Sequence, residues 1–280
     1  MKRTIMAYMV ATIVSFAVIG GLTMQPLSSM AQQEVQQTEG QHGQQGQQKV
    51  QQTESRTPVT NAACGQVVEG LVELNSDLNC SGDGLIVGKD GTTIRLNGHA
   101  ITGPGPDSSK VGLSVGPYDN VRIEGPGTIE QYQAGILASG AKDTLITRLT
   151  LTGNQIALFA TGTEGLQAMQ NMILKNQIGV ATHTSKDLLL SENLVSGNPL
   201  AGMTFVNTAD SMVSTNNILE SENGIFIDAQ SSDNRIDSNN ILRNTVDLNN
   251  ANGLATNVNS NAFSDNNCAI SNPSGLCIGR

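Results

Sequence analysis

The chain of 280 residues has no Trp, 3 Tyr and 5 Phe, so aromatics make up only 3 % of it. That scarcity excludes a broad core built around large rings and fits a narrow one filled by aliphatic side chains. Charge is also sparse, at 14 %, with 15 Lys and Arg against 24 Asp and Glu, giving a net charge of −9 and a pI near 4.7. With no basic patch, nucleic acid and acidic lipid are excluded as partners. Two catalytic or binding signatures are absent as well. No Gly-rich phosphate loop opens a helix, and no Gly-x-Ser-x-Gly elbow occurs. Beyond residue 31 no run is apolar enough to span a bilayer.

What is present is a repeat. The pairs Gly112-Leu113, Gly135-Ile136, Ala157-Leu158, Gly179-Val180, Gly202-Met203, Gly224-Ile225 and Asp247-Leu248 follow one another at 22 or 23 residues. A fixed period of this size marks a solenoid, in which each unit buries its apolar face by stacking on its neighbours. Aligned on those pairs, Asn171, Asn193, Asn216, Asn239 and Asn261 form one column, and Asn154, Asn176, Asn198, Ser221, Asn244 and Asn266 another. Two apolar columns run beside them. Leu151, Ile173, Val195, Ile218, Ile241 and Phe263 make the first, and Ile123, Ile146, Ala168, Leu190, Val213, Ile236 and Val258 the second. Each repeat thus holds three short alternating runs separated by Asn, Gly and Ser, which is three strands per turn. Asn and Gly are poor helix formers, and a propeller blade needs about 40 residues. The fold expected is all-β, a single-stranded parallel β-helix of about eight coils counted from Gly84, with inter-coil spacing of about 4.8 Å. Stacked Asn side chains tolerate left-handed turns and hydrogen-bond to the Asn above and below, so their abundance is structural.

Five segments follow from a pass along the chain. Residues 1–31 have the form of a signal peptide, with Lys2 and Arg3, the apolar run Ile5 to Leu22, and Ser29-Met30-Ala31 before a cleavage point; a retained membrane anchor is the alternative. Residues 32–59 form a Gln-rich tether too polar to fold, with eleven Gln between Gln32 and Gln52. Residues 60–83 make an N-terminal cap, 84–267 the β-helix and 268–280 a C-terminal cap. The four cysteines lie only in the two caps and allow three pairings. Local pairing, Cys64–Cys80 and Cys268–Cys277, staples each end where fraying starts, in an oxidising compartment. Zinc is the alternative, with spacings that do not match and no His beside them.

The run Gly84-Leu85-Ile86-Val87 followed by Thr93-Ile94-Arg95-Leu96-Asn97-Gly98-His99-Ala100-Ile101-Thr102-Gly103-Pro104-Gly105 resembles the opening coil of exported right-handed parallel β-helix proteins of the pectin-lyase-like superfamily. The later Gly-Ile and Asn repeats and the closing stretch to Cys277 resemble the same group. The resemblance implies a right-handed coil, a structural role for His99, and a polysaccharide-binding face on the strand that opens each repeat. It also implies lyase, hydrolase or epimerase activity as the enzymatic alternative.

Alternation along that strand sends Ser114, Leu137, Phe159, Ala181, Thr204, Phe226 and Asn249 outward, followed by Gly116, Ser139, Thr161, His183, Val206 and Asp228. His183 and Asp228 are the only base and acid there. They lie two coils, or about 10 Å, apart, a poor arrangement for two-carboxylate or proton-abstraction chemistry. Leu137, Phe159, Ala181 and Phe226 read as an apolar stripe suited to sugar rings or a protein surface, or as ordinary scatter. Asp187, Asp210 and Asp233 share one turn column with Asp143 and Asn120; they are structural turn residues or, alternatively, calcium ligands. Pro104 to Lys110 is the sizeable insertion, and scarce loops count against an enzyme. The sequence therefore points to a secreted or cell-surface scaffold, a monomer without a resident cofactor. Its expected work is non-catalytic binding of extracellular polysaccharide or a cell-surface partner, with a polysaccharide lyase, hydrolase or epimerase as the alternative.

Overall fold

The computed structural model describes residues 59–277, so the expected signal peptide and nearly all of the Gln-rich tether lie outside the described residues. Within them the chain is a right-handed parallel β-helix of about nine coils, whose strands build three parallel sheets. Sheet 1 has ten strands from Gln66–Val68 to Ser271–Asn272, sheet 2 nine from Leu71–Glu73 to Ala262–Ser264, and sheet 3 eight from Leu78–Asn79 to Asn240–Leu242. At about 4.8 Å per rung the rod is roughly 40 Å long.

The apolar columns stack in register. Leu113, Ile136, Leu158, Val180, Met203, Ile225 and Leu248 follow one another in sheet 1, and all are buried. Ile129, Leu151, Ile173, Val195, Ile218 and Ile241 do the same in sheet 3. Each such side chain contributes about 1.5–3 kcal/mol by leaving water. The Gly near the start of most of these sheet 1 strands has a steric cause. A Cβ on Gly202 would come within 2.5 Å of Ile218 and 2.6 Å of the Gly224 carbonyl oxygen in the next coil.

The turns are held by asparagine ladders. The Asn193 side chain illustrates the unit. Its Oδ1 accepts the backbone and side-chain N–H of Asn171 at 3.0 and 3.1 Å, while its own Nδ2 donates to the Ala168 carbonyl and to Asn216 Oδ1, both at 2.9 Å. Asn216 and Asn239 repeat the pattern. A parallel ladder runs through Asn154, Asn176 and Asn198. These side chains are buried, so each bond replaces water that cannot reach the turn.

Three sequence expectations need correction. The stretch expected as an N-terminal cap is itself the first coil, because Gln66–Val68 and Leu71–Glu73 pair in parallel with the strands of the next. Among the described residues Val59 bridges in parallel to Val72 ahead of it. At the other end the constant period fails. Residues 251–258, with a short 3-10 turn at Thr256–Val258, lengthen the last coil, and Asn239 bonds Asn266, 27 residues on. Asn261 therefore joins a different ladder, on Asn234; Phe263 sits on Ile236; and Val258 is exposed. The core also admits large rings, since Tyr132 and Phe205 are fully buried. Phe205 fits because its column neighbours on one side are small, Thr182 and beyond it Ala160, while Ile227 packs on the other. Tyr132 fits because Gly103 and Gly112 leave room: a Cβ on either would lie 2.5 or 2.9 Å from the ring. Both disulfides form as expected, Cys64–Cys80 and Cys268–Cys277.

Removing one ladder member leaves buried partners unmatched. Asn193→Ala is expected to cost about 2–4 kcal/mol, lowering the thermal midpoint by about 10 °C. A melt within 2 °C or so of wild type would contradict this. The Tyr132 hydroxyl has no hydrogen-bond partner among the described residues. Burial, helped by the Asp83 charge, pushes its pKa up to about 12. An unfolded Tyr ionises near 10, so stability tied to the neutral form is full below about pH 10 and falls as pH rises toward 12. Tyr132→Phe is thus expected to melt at or above the wild-type temperature at neutral pH, with the advantage growing above pH 10. Equal alkaline sensitivity of the two proteins would rule this out.

Candidate functional site

The strand that opens each repeat aligns the outward column as alternation required: Leu137, Phe159, Ala181, Thr204, Phe226 and Asn249 lie side by side on sheet 1. The expected open stripe is not open, however. Phe159 and Ala181 are fully buried and Phe226 is 3 % exposed. Phe159 and Ala181 belong to a second apolar cluster, apart from the main core, with Ala134, Ile156, Ile178 and Ala201. Leu137, Leu200 and Val206 are half-buried against it. Ile156, Ile178 and Ala201 precede the repeat's Gly-Leu position and cannot be told from core residues by alternation alone.

The His183 and Asp228 positions fall in one column, with Val206 between them. Asp228 is a turn anchor. Its Oδ1 accepts the backbone N–H of Asn207 at 3.1 Å, the backbone N–H of Ser231 at 2.8 Å and the Ser231 hydroxyl at 2.6 Å. His183 is half-buried beside the Thr161 and Thr184 hydroxyls. The structure does not bring base and acid together.

The aspartate column is explained by its backbone. Asp187, Asp210 and Asp233 have φ of 55°, 52° and 57°, and Asp143 and Asn120 share that left-handed conformation. Asp and Asn adopt it more readily than most residues. The N–H of Asp187 bonds to the Ala209 carbonyl and that of Asp210 to the Ser232 carbonyl, each in the next coil. Lys186 lies 4.0 Å from Asp187. Its pKa is raised, first by the hydrogen bond to Glu164 and then, more weakly, by Asp187 and Asp210. Among the described residues no three His, Cys, Asp or Glu side chains converge as a metal site would require. Thermal midpoints measured with calcium and with chelator are expected to coincide; a calcium-dependent rise lost in Asp210→Asn would restore a cation role to this column.

A concave feature lies at the turn leading into sheet 1, where the Pro104–Lys110 insertion stands beside later coils. It is a groove of about 490 Å³, bordered by Asp107, Gln131, Gln155, Lys175, Gln177 and Leu200. Ile178, a member of the second apolar cluster, forms part of its wall. Gln155 and Gln177 occupy equivalent positions one coil apart, preceded by Gln133, because each immediately precedes the first residue of the paired strands Ala134, Ile156 and Ile178. Their backbone N–H groups are engaged in the coil: Gln155 bonds the Tyr132 carbonyl at 2.9 Å and Gln177 the Asn154 carbonyl at 3.1 Å. The side-chain amides of Gln131, Gln155 and Gln177 make no hydrogen bond to other described residues. A Cβ on Gly153 would sit 2.6 Å from Gln131 Nε2, so this glycine makes space for that amide. Sequence reading missed the column, although the 22-residue spacing of Gln133, Gln155 and Gln177 is written in the chain. A polar residue at a turn carries no mark of the cavity beside it.

Soft donors are scattered. All four cysteines are in disulfides. His99 pairs with Asp77 at 3.1 Å in the second coil, while His183 ends the sheet 1 strand four rungs further on, about 19 Å along the axis. Met203 is in the core, and Met169, Met172 and Met212 lie on three separate strands.

Among solved structures the chain is similar to the periplasmic alginate epimerase AlgG, with 12 % identity, a TM-score of 0.52, and coverage of 66 % of this chain and 57 % of that one. It is also similar to DFA-IIIase from Arthrobacter chlorophenolicus A6 without its lid, at 15 % identity and a TM-score of 0.50, covering 70 % of this chain and 56 % of that one. Such low identity shows a shared fold, and the chain spans just over half the length of either enzyme. No curated protein sequence matches it. A family model described as periplasmic copper-binding protein (NosD) matches residues 76–275, most of the chain, and with the coil now in view the conclusion is direct: this protein belongs to the NosD family.

Proposed function

We propose that this chain is an exported β-helix scaffold that binds extracellular polysaccharide or a cell-surface partner on its side face without transforming it. Two disulfides and the family match fit a location outside the cytoplasm. The observation that carries the reading is the groove itself: about 490 Å³, within the usual range for ligand sites, lined by unengaged amides and by the apolar Pro199 and Leu200. Amide donors and acceptors beside an apolar strip match the two faces of a sugar.

The enzymatic alternative needs a proton-transfer group within hydrogen-bond reach of a bound polymer. The Asp228 carboxylate oxygen that would serve is already accepting three hydrogen bonds, and no second carboxylate accompanies it in its column. The neighbouring epimerase structure supports the fold and carries no residue to this chain.

The family description names copper, whose sites draw on Cys, His and Met donors brought into one cage. The donor set of the described residues does not fit. The thiols are oxidised, and the two histidines are about 19 Å apart along the axis. Copper therefore has no part in the function proposed. In a titration of the full chain with Cu(II), no stoichiometric site depending on His99 or His183 is expected; one lost in His99→Ala or His183→Ala would contradict that statement. For the binding function, reducing-sugar and unsaturated-uronate assays on a panel of polymers are expected to show retention without product. Turnover abolished by Asp228→Asn or His183→Ala would replace the scaffold with an enzyme.

A further inference from the structure

We infer that the groove between the Pro104–Lys110 insertion and the glutamine column takes an uncharged polysaccharide, laid along the solenoid axis with one sugar unit per coil. This rests on the polysaccharide reading above and names the class of polymer. Three observations carry it.

The first is charge. The two ionisable side chains on the groove, Asp107 and Lys175, are of opposite sign and offset one another. A polyuronate carries one negative charge per residue and calls for a cationic lining or a bridging metal. The groove has a single Lys, and among the described residues no carboxylate cluster could hold a bridging ion.

The second is the hydrogen-bonding inventory. Primary amides offer both donors and acceptors and therefore suit hydroxyl groups, which also do both. Several surface amides elsewhere on this molecule are tied to their neighbours. Gln170 bonds Glu192, Asn240 bonds Asn217, Asn267 bonds Asn240 and Asn272 bonds Asn249. Like those of the exposed Gln167 and Gln230, the amides of Gln131, Gln155 and Gln177 are unengaged by other described residues, but these three share one place. They are gathered at the groove, where Gly153 keeps space for one of them.

The third is periodicity. Gln155 and Gln177 repeat at the rung spacing of about 4.8 Å, close to the length of one sugar ring along an extended polymer. Successive units would meet successive amides, with Pro199 and Leu200 available to a ring face. Leu200 follows Gln177 in the same column, which ends the polar run and sets its length.

The test uses the full chain and immobilised polymers of both kinds: dextran, laminarin and inulin as neutral probes, alginate and polygalacturonate as acidic ones. Retention on at least one neutral polymer is expected, insensitive to salt. The double variant Gln155→Ala/Gln177→Ala should weaken it at least tenfold, and Lys89→Gln, outside the groove, should leave it unchanged. Both changes are at the surface, and an unaltered thermal midpoint confirms that each variant is folded. Retention of acidic polymers alone, lost with Lys175→Gln or with salt, overturns the uncharged class while leaving the polysaccharide reading intact. Neutral binding indifferent to the glutamine pair overturns the site. Binding to none of the five polymers overturns both the class and the reading beneath it.

Discussion

A buried asparagine amide that bonds one coil back and one coil forward is the constraint on which this structure depends. A solenoid of 22- or 23-residue coils must turn three times per coil, and its tightest turns point backbone groups into a core with no water. Left alone, each such group would cost about 1–3 kcal/mol. Asn171, Asn193, Asn216 and Asn239 meet the need with one side chain per coil, since each oxygen takes an N–H from the coil before and each nitrogen reaches two carbonyl-type acceptors. The arrangement works only if the coil repeats in register, which is why the sequence repeats.

The same constraint shapes the surface. Because the inner turns are closed by Asn, variation is left to residues that point away, and the turn into sheet 1 uses that freedom with Gln. The extra methylene of Gln and its place one residue past the ladder carry its amide out to the groove. One amide chemistry thus serves two ends: inward and matched at Asn154 and Asn176, outward and unmatched at Gln155 and Gln177. Asp228 shows the reverse case, an acid on the expected catalytic face whose oxygen is taken up by its own turn.

Much of the architecture was legible in the chain. The Gly-Ile pairs, the aliphatic columns and Asn171, Asn193 and Asn216 all stack where the period places them, because stacking is a one-dimensional rule that a sequence can express. What escaped depends on three dimensions. The register of Asn261, Phe263 and Val258 failed because the last coil carries residues 251–258, and a period gives no warning of its own interruption. Tyr132 was not expected inside, since its room is made by Gly103 and Gly112 from other coils. Phe159, Ala181 and Phe226 were placed on the correct face, but alternation reports direction and not cover, so their burial could not be read. The groove was missed for a related reason: it arises where an insertion after one coil stands beside turns two and three coils later.

Native-state hydrogen exchange on the backbone amides of Asn171, Asn193, Asn216 and Asn239 tests the ladder most directly, because each donates to the side chain of the next coil. The account predicts that these turn amides exchange as slowly as those of the adjoining core strands, opening only when the coil itself unfolds. Exchange at the rate of ordinary exposed turns would mean that the amide ladder does not hold the coils, and the account would fail with it.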